Sequence, residues 1–221
     1  MDFPVRTYVF DAYGTLFDVH SAVARHSQRV GHHATALSEL WRSRQVEYSW
    51  TYSLMGIESD FWTLTKLALD HAMKQFGLQD SSLRSDLLDS YLELDAYPEV
   101  PELLRSLKKR GHQVIILTNG TQDMVSSAIR SAGLSELIDA TFSVDQVKIF
   151  KPHPSVYELI TKTLGVTAAE ISFQTSNQWD AAGAGTFGFR VVWVNRKGLP
   201  REYELGFERK EVASLASLAA E

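Results

Sequence analysis

Short runs of β-branched and aromatic residues alternate with longer helix-periodic stretches along most of the chain. One long stretch breaks that alternation. Thr7-Tyr8-Val9-Phe10 reads as a buried strand, stopped by Asp11 and then Gly14. From residue 18 to 97 the pattern predicts helices only, over residues 21–30, 37–55, 59–76 and 81–94. In the second of these, Leu40, Val46, Trp50 and Leu54 recur at helical spacing, and Gly31, Gly56 and Gly77 punctuate the gaps. After Pro98 the alternation resumes. A helix over 99–110 ends at Gly111, and a strand over 113–117 follows. A helix over 123–132 is capped by Gly133 and leads into a strand over 141–144. A helix after Pro154, a strand over 171–174, a helix over 179–187 and a strand over 190–194 complete the pattern.

Strands alternating with helices of this length predict βαβ units and an α/β fold with a parallel sheet, because right-handed crossovers cover both faces. The expected organisation is an α/β core of residues 1–17 and 98–221, with residues 18–97 inserted as a helical cap. The insertion leaves from the carboxyl end of the first strand, where parallel sheets bind ligands, so an insert there can cover a site.

Composition narrows the functional classes. The chain has 221 residues, 44% apolar and 22% charged, enough to bury a sizeable core. Its 22 Lys+Arg against 27 Asp+Glu leave a net charge of −5, without the global electrostatics for nucleic acid or an anionic membrane. Zero cysteines exclude thiolate nucleophiles, Cys-type zinc sites and disulfide scaffolds. Met1-Asp2-Phe3-Pro4-Val5-Arg6 lacks a signal-peptide pattern, and no run approaches the ~20 apolar residues of a membrane span, so a soluble cytoplasmic protein is expected.

Four segments follow strand ends: Asp11-Ala12-Tyr13-Gly14-Thr15-Leu16-Phe17, Thr118-Asn119-Gly120, Lys151-Pro152, and Thr175-Ser176-Asn177-Gln178-Trp179-Asp180. Singly, each has an ordinary structural explanation. Asp11 can end a strand, Asn119-Gly120 is a common turn pair, Lys151-Pro152 suits an exposed loop, and Asn177 with Asp180 resembles a helix N-cap with an acidic third residue. One parallel sheet would instead bring all four to a single crevice. There Asp11 supplies a nucleophile, Lys151 a cation to keep it ionised, Thr118 and its turn donors for an anion, and Asp180 a base for water. Arg42, Arg44 and Glu47 could form a solvated helix face with an ordinary ion pair, and His32-His33 suits a surface turn better than a metal site.

The four segments, in this order and spacing, resemble the motifs of the haloacid dehalogenase superfamily over nearly the whole chain. That resemblance implies a Rossmann-like doubly wound core, an aspartate nucleophile and an inserted helical cap. Most members are Mg²⁺-dependent phosphohydrolases that carry a second Asp two residues after the nucleophile and a carboxylate four residues before the distal Asp. Here those positions hold Tyr13 and Ser176. The hard cation loses a charged ligand and the leaving group loses its acid, which argues against phosphoryl transfer.

The finer resemblance is to the L-2-haloacid dehalogenase family, through the first motif, Trp41-Arg42, Gln45-Val46-Glu47-Tyr48, Ser176-Asn177 and Trp179-Asp180. It implies that Asp11 displaces halide from a short 2-haloacid, with Arg42 and Asn177 cradling the halide. Thr118 and Asn119 would hold the substrate carboxylate, and Asp180 with Lys151 would activate water. Thr15, Tyr157, Thr175 and Ser176 would orient these groups, while Tyr13, Phe61 and Trp179 would wall the pocket. No metal or other cofactor is implied, and a homodimer is expected. Thr118 and Thr175 stand where the family often has serine, and Ser43 where a larger polar residue is common, which bears on pocket size. A Mg²⁺-dependent phosphatase of the same fold and a non-catalytic small-acid-binding module are the rival readings.

Overall fold

The computed structural model describes residue 5, residues 7–207 and residues 209–219; of the N-terminal segment read above, only Val5 falls among them. Strand β1 (Thr7–Phe10) is followed by five helices: α1 (Ser21–Ala24), α2 (Ser27–Val30), α3 (Ala34–Met55), α4 (Phe61–Gln75) and α5 (Ser81–Leu92). Then come α6 (Val100–Lys109), β2 (Gln113–Thr118), α7 (Gln122–Ser131), β3 (Ala140–Ser143), α8 (Pro154–Leu164), β4 (Ile171–Thr175), α9 (Gln178–Phe187), β5 (Arg190–Val194) and β6 (Arg209–Val212).

All six strands are parallel, in the order β3-β2-β1-β4-β5-β6. The chain moves from β1 to β2 on one side and later to β4 on the other, so a switch point lies at β1. Phe10 pairs with Ile116 of β2 and with Gln174 of β4. This register sets Asp11 level with Leu117 of β2 and with Thr175 at the end of β4. The inner strands are buried on both faces, as a sheet covered by helices requires, although β4 buries Ser172, Gln174 and Thr175 among its five residues. Helix α6 packs on β2, α7 on β3, and α9 across β4 and β5.

Local chemistry sets the helix ends between β1 and β2. Asp60 accepts the Thr63 N–H at the start of α4, and Asp80 accepts that of Leu83 at the start of α5. Gly56 ends α3 in the left-handed conformation, φ 66°, where a Cβ would be strained. Three segments depart from the sequence reading. The helix expected over 21–30 is broken between α1 and α2, where Arg25 pairs with Asp95 and His26 Nε2 meets Ser90 Oγ at 2.9 Å. Contacts with distant residues override local helix periodicity there. Strand β6 was not anticipated, because Arg209, Lys210 and Glu211 carry no strand signal; only Val212 is buried on this edge. The third strand begins one residue earlier than expected, and Val144 lies in a 3₁₀ turn. Among the described residues no helix is long and apolar enough to cross a membrane.

Candidate active site

Asp11 leaves β1 with its N–H donated to Gln174 O at 2.9 Å and its side chain only 6% exposed in the crevice. Its two oxygens have different surroundings. Oδ1 accepts from Lys151 Nζ at 3.1 Å. Oδ2 accepts from Thr15 Oγ1 at 3.0 Å, Asn177 Nδ2 at 2.8 Å and Thr175 Oγ1 at 3.4 Å. Donors from three separate motif segments therefore fix this carboxylate.

Lys151 is fully buried and bridges two carboxylates, with its Nζ also 2.9 Å from Asp180 Oδ2. Burial opposes its charge, but the neighbouring Asp11 and Asp180 outweigh that and raise its pKa above the usual lysine value. Tyr157 donates to Asp180 Oδ1 at 2.8 Å. Burial pushes Asp180 up to about 6, with Lys151 pulling it down and Asp11 pushing it up. A carboxyl near 6 takes and returns a proton readily close to neutrality.

The N-cap explanation of the fourth segment fails on geometry. Asn177 does occupy the N-cap of α9, yet its side chain makes no capping bond and turns to Asp11 instead. Asp180 likewise spends both oxygens on Lys151 and Tyr157. Lys151 is not in an exposed loop. The Ser176 N–H donates to Thr15 Oγ1 at 2.8 Å, so one threonine hydroxyl links the first and fourth segments.

Helix α3 reaches the same place from outside the sheet. Arg42 Nη2 donates to Tyr13 O at 3.1 Å and approaches Asn177 Oδ1 at 3.4 Å. Arg44 pairs with Glu47 on the exposed face, so the ordinary ion pair belongs to Arg44 and not to Arg42. Tyr13 and Phe61 lie side by side, ring centroids 6.2 Å apart. Trp179 stands apart, edge-on to Trp50 at 5.5 Å, on a cleft of about 450 Å³ whose walls also carry Arg42, Asn177, His20 and Lys197. Thr118 Oγ1 accepts the Gly120 N–H at 2.9 Å, and Asn119 Oδ1 accepts the Lys151 N–H at 2.9 Å. The Asn119 side chain thus ties the second segment to the third.

Several participants carry no motif signal. Buried Gln45 accepts from Arg42 Nη1 at 2.8 Å and from Tyr91 OH at 3.0 Å, and donates to Thr65 Oγ1 at 2.6 Å. It fixes the guanidinium through residues on three helices. Arg196 Nη2 donates to Thr15 O at 3.0 Å, its Nη1 meets Glu99 Oε1 at 2.5 Å, and its guanidinium lies 3.7 Å from the Tyr97 ring centre. The sequence placed Gln45 in a resembling segment without a role and gave no hint of Arg196. His32 and His33 lie ring against tilted ring in a short 3₁₀ turn, and among the described residues no group of three or more His, Asp or Glu could hold a metal.

An aspartate at the switch point of a parallel α/β sheet places a carboxylate where such sheets bind ligands, and residues 5–188 match the haloacid dehalogenase-like hydrolases. The (S)-2-haloacid dehalogenase 1 of Pseudomonas sp. (strain CBS-3) is 47% identical over 97% of this chain and 95% of its own length. The (S)-2-haloacid dehalogenase 4A of Burkholderia cepacia is 47% identical over 97% of this chain and 93% of its own. The structure of L-2-haloacid dehalogenase from Xanthobacter autotrophicus with chloropropionic acid covalently bound superposes with a TM-score of 0.87. It is 34% identical and covers 98% of this chain and 97% of its own. The chain belongs to the L-2-haloacid dehalogenase family of the haloacid dehalogenase-like hydrolases.

Proposed function

We infer that the protein hydrolyses short L-2-haloalkanoic acids to D-2-hydroxy acids and halide through an ester on Asp11, without a metal. The observation that carries this reading is the buried Asp11–Lys151–Asp180 array, in which an ammonium serves both carboxylates. Asp11 attacks C2 from the face opposite the halogen; a C–O bond forms, the C–X bond breaks, and the configuration inverts. The halide leaves with the bonding pair toward Arg42 and Asn177 and needs no proton. Fixed donors in a dry site receive that charge more effectively than water would. Water then loses a proton to Asp180 and adds to the ester carbonyl of Asp11. The acyl C–O bond breaks, the leaving alkoxide takes the proton back from Asp180 and departs as the hydroxy acid, and Asp11 keeps one oxygen from water and releases the remaining proton to solvent.

Thr15, Thr175, Ser176 and Tyr157 orient these groups, Thr118 and Asn119 line the carboxylate end, Tyr13 and Phe61 line the alkyl end, and Trp179 borders the cleft beside Arg42 and Asn177. Residues 18–97 act as a cap over a core of residues 1–17 and 98–221. We place the protein in the cytoplasm as a homodimer; the exposed Leu54, Met55 and Leu205 beside an apolar groove of about 1040 Å³ support association of two copies.

Halide release from both 2-chloropropionate enantiomers in excess EDTA tests the reaction. Turnover of the L form alone, unaffected by chelation, is expected. An inert L form, or activity lost on chelation, overturns the reading. Asp11→Asn abolishes turnover while the melting profile stays cooperative.

A further inference from the structure

The wall residue Tyr13 carries a hydroxyl that the reaction as described does not use. Its side chain is 98% buried, and among the described residues this hydroxyl has no hydrogen-bond partner. Most buried hydroxyls in native proteins are paired, so an orphan inside a binding site calls for an explanation. Burial raises the phenol well above its ordinary pKa, so it stands in the site as a protonated donor.

The two ends of Tyr13 face different parts of the site. Its backbone carbonyl accepts from Arg42 Nη2 and, at 3.3 Å, from Asn177 Nδ2, the two groups assigned to the halide. The ring runs the other way, stacked on Tyr91, with its far edge against the turn after β2. A methyl group at Gly120 would stand 2.6 Å from that ring and 3.1 Å from its hydroxyl, so only glycine admits it. On the same turn, Thr118 Oγ1 accepts the Gly120 N–H and keeps its own proton for a ligand. The Tyr13 phenol and the Thr118 hydroxyl thus both border the Gly120 turn, and the phenol has no acceptor among the described residues.

We propose that Tyr13 is a substrate-binding donor whose hydroxyl, with that of Thr118, hydrogen-bonds the carboxylate of the 2-haloacid. The assignment rests on the dehalogenase reading above and deepens it. The first-motif aromatic then does two jobs: its face excludes water from the alkyl group, and its oxygen reads the acid. A carboxylate held between the turn and Tyr13 leaves C2 near Asp11 and the halogen toward Arg42.

Tyr13→Phe removes one oxygen and keeps the wall. Loss of a hydrogen bond to a charged group predicts about a tenfold fall in kcat/KM for L-2-chloropropionate, carried by KM. The dissociation constant of unreactive propionate rises by a similar factor, while inhibition by added chloride is unchanged. The melting temperature does not fall, because the hydroxyl leaves no protein partner behind. An unchanged KM, a loss confined to kcat, or a lowered melting temperature would overturn the proposal. Wild-type protein that releases no halide at all refutes the dehalogenase reading instead, and propionate binding by the two proteins still decides whether the hydroxyl reads a carboxylate.

Discussion

Asp180 holds a carboxyl in full burial against an ammonium and a phenol, and in the proposed reaction its protonation decides whether water can be deprotonated. Burial raises it to about 6, so it is ionised above that pH and progressively neutral below. The sign follows directly. Turnover limited by ester hydrolysis falls as pH drops through about 6, toward tenfold per pH unit. The phenols of Tyr13, Tyr91 and Tyr157 are all raised by burial, and Lys151 is raised by its two carboxylates despite burial. The plateau therefore extends through mildly alkaline pH. Removing the phenol that hydrogen-bonds ionised Asp180, in Tyr157→Phe, takes away a group that lowers its pKa and shifts the acid limb upward. Initial rates of chloride release in constant-ionic-strength buffers from pH 4.5 to 9 read both effects. A flat profile across pH 5–7 would remove Asp180 from the role of base.

Two extended segments join the inserted helices to the sheet, and they run side by side. Asp18 N donates to Asp95 O at 2.8 Å, and Tyr97 N to Leu16 O at 3.0 Å. Arg196, just after β5, grips both: Thr15 O on the first, and Tyr97 with Glu99 on and just beyond the second. Its side chain is only 17% exposed, so solvent screens the Glu99 pair little. Arg196→Ala is expected to cost about 2 kcal/mol, or roughly 4–8 °C in melting temperature. Lysine has no planar fork to span the carbonyl, carboxylate and ring together, so Arg196→Lys recovers only part of this. Thermal melts with kcat measurements check it, since a loosened Thr15 lowers kcat as well.

This clamp also shows which features the sequence made legible. Strand ends could be placed because apolar runs stop abruptly at Asp11, Asn119 and Ser176, and a parallel sheet brings such ends together. The Gln45–Tyr91 and Arg196–Thr15 contacts could not, because these partners lie 46 and 181 residues apart. Periodicity carries no information about such pairings. The broken helix over 21–30 and the charged edge strand β6 have the same origin, since neighbours far along the chain decide their structure.

At the scale of the molecule, the inserted helices and the sheet share one apolar core. Buried Val9, Phe10 and Leu117 of the sheet region belong to the same cluster as Trp41, Leu69 and Leu87 of the insertion. The seam is crossed by ring pairs, Tyr13 with Tyr91, Phe61 with Phe150 and Trp50 with Trp179. Exposed ion pairs across it, such as Lys148–Glu58 with both side chains about two-thirds exposed, add little by comparison. Unfolding the insertion alone would expose the sheet-side half of these contacts to water, at a cost proportional to the apolar area uncovered. The whole chain is therefore expected to unfold in one transition despite exceeding the length at which small domains usually do so. Five tryptophans make this measurable: Trp41, Trp50 and Trp62 report on the insertion, Trp179 and Trp193 on the core. Urea curves from fluorescence, far-UV circular dichroism and halide release should coincide. Replacing Trp179 and Trp193 by phenylalanine leaves an insertion-only signal whose midpoint, measured with its own circular dichroism, should still match that of the backbone. An insertion signal lost at lower urea than the backbone signal would show that the cap melts from an intact core.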